Sequence, residues 1–295
     1  MTANREETEK RFLVPVVTPF NDDETVNYDA LQRLVEDLLQ QGADGVYACG
    51  SSAECFSMTE AERMKVLEAV LEAADGAFVV AHIGAIATGN SLRLARHAEK
   101  AGAGAISSVP PFYFKYSFDE IMQYYVDIAD HSGLPMMAYN FPASTNTNFN
   151  VAQLVEILSY EKIKYMKFTD MDCFMLEQIK SRTGKFIYSG KDEIFLSALA
   201  AGADGAIGTS FNVMLGKYLK IYRLFLEGNM QMARAVQHSA NEIVSVLCST
   251  GLLESIKFLI GRKGIGCGHA RKPFSRLTEE SKRRLSEVVE REGFE

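Results

Sequence analysis

The chain has 295 residues, 47% hydrophobic and 23% charged, which is ordinary globular composition and excludes wholesale disorder. A net charge of −7 argues against a nucleic-acid partner, so an anionic small molecule would have to be caught by local groups. No apolar run approaches the ~20 residues of a membrane span, residues 1–7 are polar and unlike a signal peptide, and five cysteines without a Cys-x-x-Cys pair point to a reducing, cytoplasmic setting.

Eight strand-like runs follow one another, at 12–18, 45–49, 78–83, 105–109, 136–140, 164–169, 186–189 and 205–208. Amphipathic helical patterns lie between most of them. Three connections share one phrase: Gln41-Gly42-Ala43-Asp44-Gly45-Val46, Ala101-Gly102-Ala103-Gly104-Ala105-Ile106 and Ala201-Gly202-Ala203-Asp204-Gly205-Ala206. Its first glycine suits the residue after a helix end, and its small residues suit a tight helix-to-strand loop. Thr59 with Glu62 and Ser117 with Glu120 have capping-box spacing, and Asn150 with Gln153 imitates it. Alternating helices and strands imply a parallel sheet. Eight such units in about 200 residues predict a (β/α)8 TIM barrel. An open doubly wound sheet would want a glycine-rich loop after its first strand, and Val17-Thr18-Pro19-Phe20-Asn21 has no glycine.

Beyond residue 213 only helical patterns remain, at 215–227, 230–247, 252–260 and 279–291. The expected organisation is a barrel over 1–213 and a C-terminal helical extension over 214–295, packed on the barrel as one unit. The basic, glycine-rich run 261–273 lacks the preceding strand and spacing of a phosphate loop. It reads as a solvated or inter-subunit loop.

Barrel enzymes do chemistry at the C-terminal ends of their strands. Strand two ends in Gly50-Ser51-Ser52-Ala53-Glu54, whose hydroxyls and N–H groups either hold a carboxylate or cap the next helix. Strand five ends in Tyr139-Asn140-Phe141-Pro142, where Tyr139 is either packing or a proton carrier. Strand six carries Lys167 among Tyr165, Met166 and Phe168. It is either a solvated surface charge or a buried amine; burying it charged costs several kcal/mol, so in the second case it is expected to sit neutral, as a nucleophile for carbonyls. Period two places Ile163, Tyr165, Lys167 and Thr169 on one face; if that face looks inward, Lys167 lies near the mouth. Strand seven ends in Gly190-Lys191-Asp192-Glu193, whose carboxylates either bind hydroxyls or cap a helix. Strand eight ends in the hydroxyl-rich Thr209-Ser210. His82, His97, His131, His238 and His269 show no metal-ligand spacing, so no metal is expected. Cys49 and Cys55 read as packing residues.

In order on successive strand ends, Gly50-Ser51-Ser52-x-Glu54, Tyr139-Asn140-x-Pro142, Lys167 and Gly190-x-Asp192-Glu193 resemble the N-acetylneuraminate lyase / dihydrodipicolinate synthase family. These are class I, pyruvate-dependent aldolases on a (β/α)8 barrel with extra C-terminal helices. The resemblance covers essentially the whole chain from Pro15 onward. It implies that Lys167 forms a Schiff base, Tyr139 moves the proton, and Ser51 and Ser52 bind the pyruvate carboxylate. It further implies that Tyr113 reaches a neighbouring subunit's site, that the protein is a homotetramer, and that no cofactor takes part. Synthases of the family carry an Arg two residues after the Tyr-Asn-x-Pro proline; here Ser144 stands there. The lyases hold sugar hydroxyls with Lys-x-Thr, Asp-Glu and a Ser or Thr on strand eight. Thr169, Gly190, Asp192, Glu193 and Thr209 match that set. The activity implied is cleavage of N-acetylneuraminate to N-acetylmannosamine and pyruvate. The alternatives are an aldolase or dehydratase of another 2-oxo-3-deoxy sugar acid, a dihydrodipicolinate synthase, and a silent binding paralogue.

Overall fold

The computed structural model describes residues 11–294, so the polar stretch 1–7 lies outside the described residues. Its eight strands are β1 (Leu13–Val14), β2 (Gly45–Ala48), β3 (Phe78–His82), β4 (Ala105–Ser108), β5 (Met136–Asn140), β6 (Ile163–Phe168), β7 (Phe186–Ser189) and β8 (Gly205–Ala206). Each pairs in parallel with the next. A parallel bridge from Phe12 to Ala206 brings β8 back to β1. The expected TIM barrel is the observed one.

The helices between strands are α1 (Tyr28–Gln40), α2 (Glu60–Ala74), α3 (Thr88–Ala101), α4 (Phe118–His131), the short α5 (Pro142–Thr145), α6 (Val151–Ser159), α7 (Cys173–Thr183) and α8 (Phe195–Ala200). Both capping boxes form, and Asn150 with Gln153 completes a third. Gly42 and Gly102 turn the chain into the next strand with φ of 101° and 92°, a region that costs other L residues energy.

Strand one is shorter than 12–18 because its backbone leaves the ladder early. The Asn212 side chain accepts from the Val17 N–H and donates to the Pro15 carbonyl, taking partners a neighbouring strand would otherwise supply. Inside the barrel, Leu13, Tyr47, Val80, Met137, Tyr139 and Tyr188 form one apolar cluster, while Met136, Ala138, Met166 and Phe168 face the helices. Ile163 corrects the period-two reading. It joins the outer cluster while Tyr165 packs with the inner one. The cause is a register shift: Met136 pairs with Ile163 but Met137 with Tyr165, so one residue is skipped. Beyond the skip the alternation holds and Lys167 faces inward.

Four helices follow β8: α9 (Phe211–Leu226), α10 (Met230–Thr250), α11 (Leu252–Arg262) and α12 (Glu279–Glu292). The pattern starting at 215 caught α9 only after its break at Met214, whose φ and ψ of −143° and 43° interrupt the helix. Between α10 and α11 the chain bends by 118° at Gly251, with φ of +100°. No single helix among the described residues is long and apolar enough to cross a membrane. The run 261–273 is mostly exposed, as a solvated loop would be, but it is anchored to the barrel at a few points. Cys267 and Ala270 are buried, and the Arg271 guanidinium donates to the Glu24 and Ser57 carbonyls and pairs with Glu62.

Candidate active site

β6 places Lys167 between Tyr139 of β5 and Tyr188 of β7. The residue is 4% exposed, and none of the ion pairs among the described residues includes it. Burial pulls its amine down to about 7, against the opposing pull of Asp192 and Cys55. A good fraction of this amine is therefore neutral at ordinary pH, as the sequence led one to expect. The Lys167 Nζ lies 4.3 Å from the Tyr139 ring centroid and 4.6 Å from that of Tyr47.

Tyr139 is buried and stacks on Phe141, with ring centroids 5.6 Å apart. Burial pushes its hydroxyl above the usual tyrosine range, while the Thr169 and Ser51 hydroxyls draw it back. The Thr169 Oγ1 is itself buried without a hydrogen bond of good geometry. A side chain at Gly190 would run into that hydroxyl, so Gly190 serves by leaving Thr169 room.

Ser51 and Ser52 open a one-turn 3-10 helix, Ser51–Ala53. They do not cap the next helix, since Thr59 caps α2. As the first residues of a turn, their amides have no partner within it. The Ser52 hydroxyl meets that of Thr209 at 2.7 Å, and the Thr18 hydroxyl fixes the Ala53 carbonyl at 2.9 Å. A hydroxyl- and amide-rich turn facing an amine suits a carboxylate attached to a carbonyl.

Asp192 divides its duties. One carboxylate oxygen accepts from the Ser210 amide at 2.9 Å and the Ser210 hydroxyl at 2.6 Å, which steadies the start of α9. A side chain at Gly208 would collide with the other oxygen. Burial lifts the Asp192 carboxyl to about 6, although Ser210 and Lys167 favour its charge. The cavity over Lys167 measures about 270 Å³ and takes in Ser51, Ser52, Tyr139, Lys167, Thr169, Gly190, Asp192, Glu193 and Thr209. Of the expected site residues only Tyr113 stands apart. It is 84% exposed with φ of 79°, and it does not line this cavity.

Four further contributions line or brace the site, and of their residues the sequence had marked only Ser144 and Glu54 as motif or discriminating positions. Phe141, and Ser144 on α5, form part of the rim; Leu252 and Leu253 of α11 enter through the bend at Gly251. Tyr47 lies beneath the amine. The fourth is a fully buried ion pair, Glu54 to Lys257 at 2.6 Å, with both side chains 0% exposed. Glu54 is left-handed, with φ of 57°, directly after the Ser51–Ala53 turn. Its second oxygen accepts from the Arg271 amide at 2.8 Å. The pair therefore fastens the serine turn to α11. Glu54→Gln or Lys257→Met alone is expected to cost about 3–5 kcal/mol by stranding the other charge. Denaturant midpoints check this, and the double variant should lose far less than the sum of the two.

Cys49 and Cys55 are buried, and burial raises their thiols to about 12 and about 11, which keeps them as packing groups. His82 is held neutral by burial and by the Arg63 and Lys167 cations. Among the described residues no three His, Cys, Asp or Glu side chains gather as a metal site. The assembly as a whole can add an amine to a carbonyl, hold a carboxylate, and move a proton through a phenol.

The Dihydrodipicolinate synthetase family model matches residues 8–292. The chain is 40% identical to an N-acetylneuraminate lyase of Rhizobium meliloti over 276 residues, 93% of this chain and 92% of the relative. It is 37% identical to N-acetylneuraminate lyase 2 of Escherichia coli, covering 93% and 91%. Among solved structures, CdNal of Clostridium difficile in complex with mannosamine superposes with a TM-score of 0.93 at 29% identity, covering 96% of this chain and 99% of that one. A catalytic lysine mutant of the Ruminococcus gnavus sialic acid aldolase superposes with a TM-score of 0.93 at 29% identity, covering 99% and 97%.

Proposed function

This chain belongs to the dihydrodipicolinate synthetase family, and from that premise we propose that it cleaves N-acetylneuraminate to N-acetylmannosamine and pyruvate through an imine on Lys167. The observation that carries the reading is the buried Lys167 amine, unpaired and near pH 7 in its titration, set against Tyr139.

The neutral amine attacks the 2-oxo carbon of the open-chain sugar acid, and the carbinolamine takes up a proton and loses water to give an iminium. Tyr139 accepts the proton of the 4-hydroxyl as the C3–C4 bond breaks. That electron pair flows into the iminium and leaves an enamine, while C4 departs as the aldehyde of N-acetylmannosamine. Protonation of the enamine at C3 restores the iminium, and water then releases pyruvate and the free amine. Ser51 and Ser52 hold the carboxylate; Thr169, Glu193 and Thr209 meet the sugar hydroxyls, with Asp192 fixed beside them. Ser144 at the rim, in place of an Arg, supports a polyhydroxy partner over a second carboxylate.

The purified protein is to be incubated with N-acetylneuraminate and pyruvate release followed. No release from a folded protein that still traps pyruvate would keep the imine chemistry and discard the sialic acid.

The family resemblance extends the proposal to a homotetramer in which Tyr113 serves a neighbouring copy's site. Its exposure beside the exposed Phe114 supports that role. Light scattering is expected to give four chains per particle; a monomer would remove it. A cytoplasmic location is supported by five unpaired thiols.

A further inference from the structure

Tyr47 is the one aromatic residue against the Lys167 amine that the mechanism above leaves without a task. It is 0% exposed and is fixed on three sides. Its hydroxyl donates to Ser107 at 2.9 Å. Its ring stands edge-on to Tyr139, with centroids 6.2 Å apart at 85°. Gly50 covers it closely: a side chain there would come within 2.6 Å of the ring. The Lys167 Nζ sits over the face of this ring, 4.6 Å from its centre.

We propose that Tyr47 is a catalytic residue of the imine chemistry, its buried ring face stabilising the cationic carbon–nitrogen double bond on Lys167. The proposal rests on the Schiff-base reading and adds a group to it. A neutral amine gains little from the negative face of an aromatic ring, whereas a cation gains substantially when both are out of water. The nitrogen is neutral in the attacking enzyme and positive in the iminium, at one and the same atom. The ring therefore favours the intermediate over the free enzyme, which is the differential stabilisation that accelerates a reaction. Among the described residues no carboxylate pairs with this nitrogen, while the ring faces of Tyr47 and Tyr139 lie 4.6 Å and 4.3 Å from it; Asp192 and Cys55 act on it more weakly than burial does. The Tyr47 hydroxyl is engaged by Ser107, whereas its ring face is what meets the Lys167 Nζ, so the ring is the active part.

Three full-length variants separate ring from hydroxyl and from bulk: Tyr47→Phe, Tyr47→Leu, and pentafluorophenylalanine placed at position 47, which keeps the shape and reverses the polarity of the face. Pyruvate affinity is read by borohydride trapping on Lys167 across pH, alongside kcat for N-acetylneuraminate. Tyr47→Phe is expected to stay within about 3-fold of the parent. The leucine and fluorinated variants are expected to lose about 10- to 30-fold in imine formation. Their trapping midpoint should also move to lower pH, because the protonated amine loses the same ring face. Equal trapping by the fluorinated variant, or a loss in Tyr47→Phe as large as in Tyr47→Leu, would overturn the proposal. A parent protein that traps no pyruvate would overturn the Schiff-base reading, and the proposal with it.

Discussion

Lys167→Ala is expected to release no pyruvate from N-acetylneuraminate and to take up no label from pyruvate and borohydride. Lys191 also lines the cavity but is only half-buried, and the other two buried lysines are committed elsewhere. Lys257 is committed to Glu54, and Lys217 donates to Ser239 and to the Glu292 carbonyl, away from the cavity. Retention of activity near the parent's would refute the assignment. The same site predicts a stability effect of opposite sign. The Lys167 amine titrates near 7 in the folded chain and near ~10.4 in the unfolded one. Between those values the unfolded chain binds more protons, so stability rises with pH through the window. Below pH 7 both states are protonated and the folded state bears the whole penalty, on the order of 5 kcal/mol. A Lys167→Met variant should therefore unfold at higher denaturant than the parent at pH 7, and the gap should close as pH approaches 10. A gap that does not change with pH would mean that the amine is not desolvated.

Tyr139→Phe is expected to separate binding from chemistry. It keeps the ring over the Lys167 Nζ and the stack on Phe141, so borohydride should still trap pyruvate on Lys167. It removes the phenol that reaches both Ser51 and Thr169, hence the group placed to accept the 4-hydroxyl proton. General-base contributions run to roughly 10²–10⁴-fold, and kcat should fall by that much. An unchanged kcat would transfer the proton to another group; a variant that neither traps nor turns over would point to collapse of the site.

The barrel was legible because its repeating unit is local: a helix, a small-residue turn around Gly42 or Gly102, then an apolar run. The site was legible because each strand end carries its own polar residues in chain order. The slip at Ile163 escaped since a skipped residue in a ladder leaves no mark on a single strand. Tyr47 escaped because a tyrosine in a buried strand looks like core, and it is core as well. Leu252 and Leu253 reach the cavity only through a bend set by packing. Lys257 shows how far one signal goes. Ser255-Ile256-Lys257-Phe258-Leu259 isolates a lysine among hydrophobes just as Met166-Lys167-Phe168 does. One lysine is matched by a buried carboxylate and the other is not, and that difference depends on Glu54, 203 residues away.

That separation also gives the enzyme a sense of time. All eight strands have been synthesised once Ala206 is made, yet the cation that belongs to Glu54 has still to emerge. Until α11 arrives, the serine turn is untethered and the wall formed by Leu252 and Leu253 is missing. A chain stopped after Ala206 would thus carry every strand and still have an incomplete cavity.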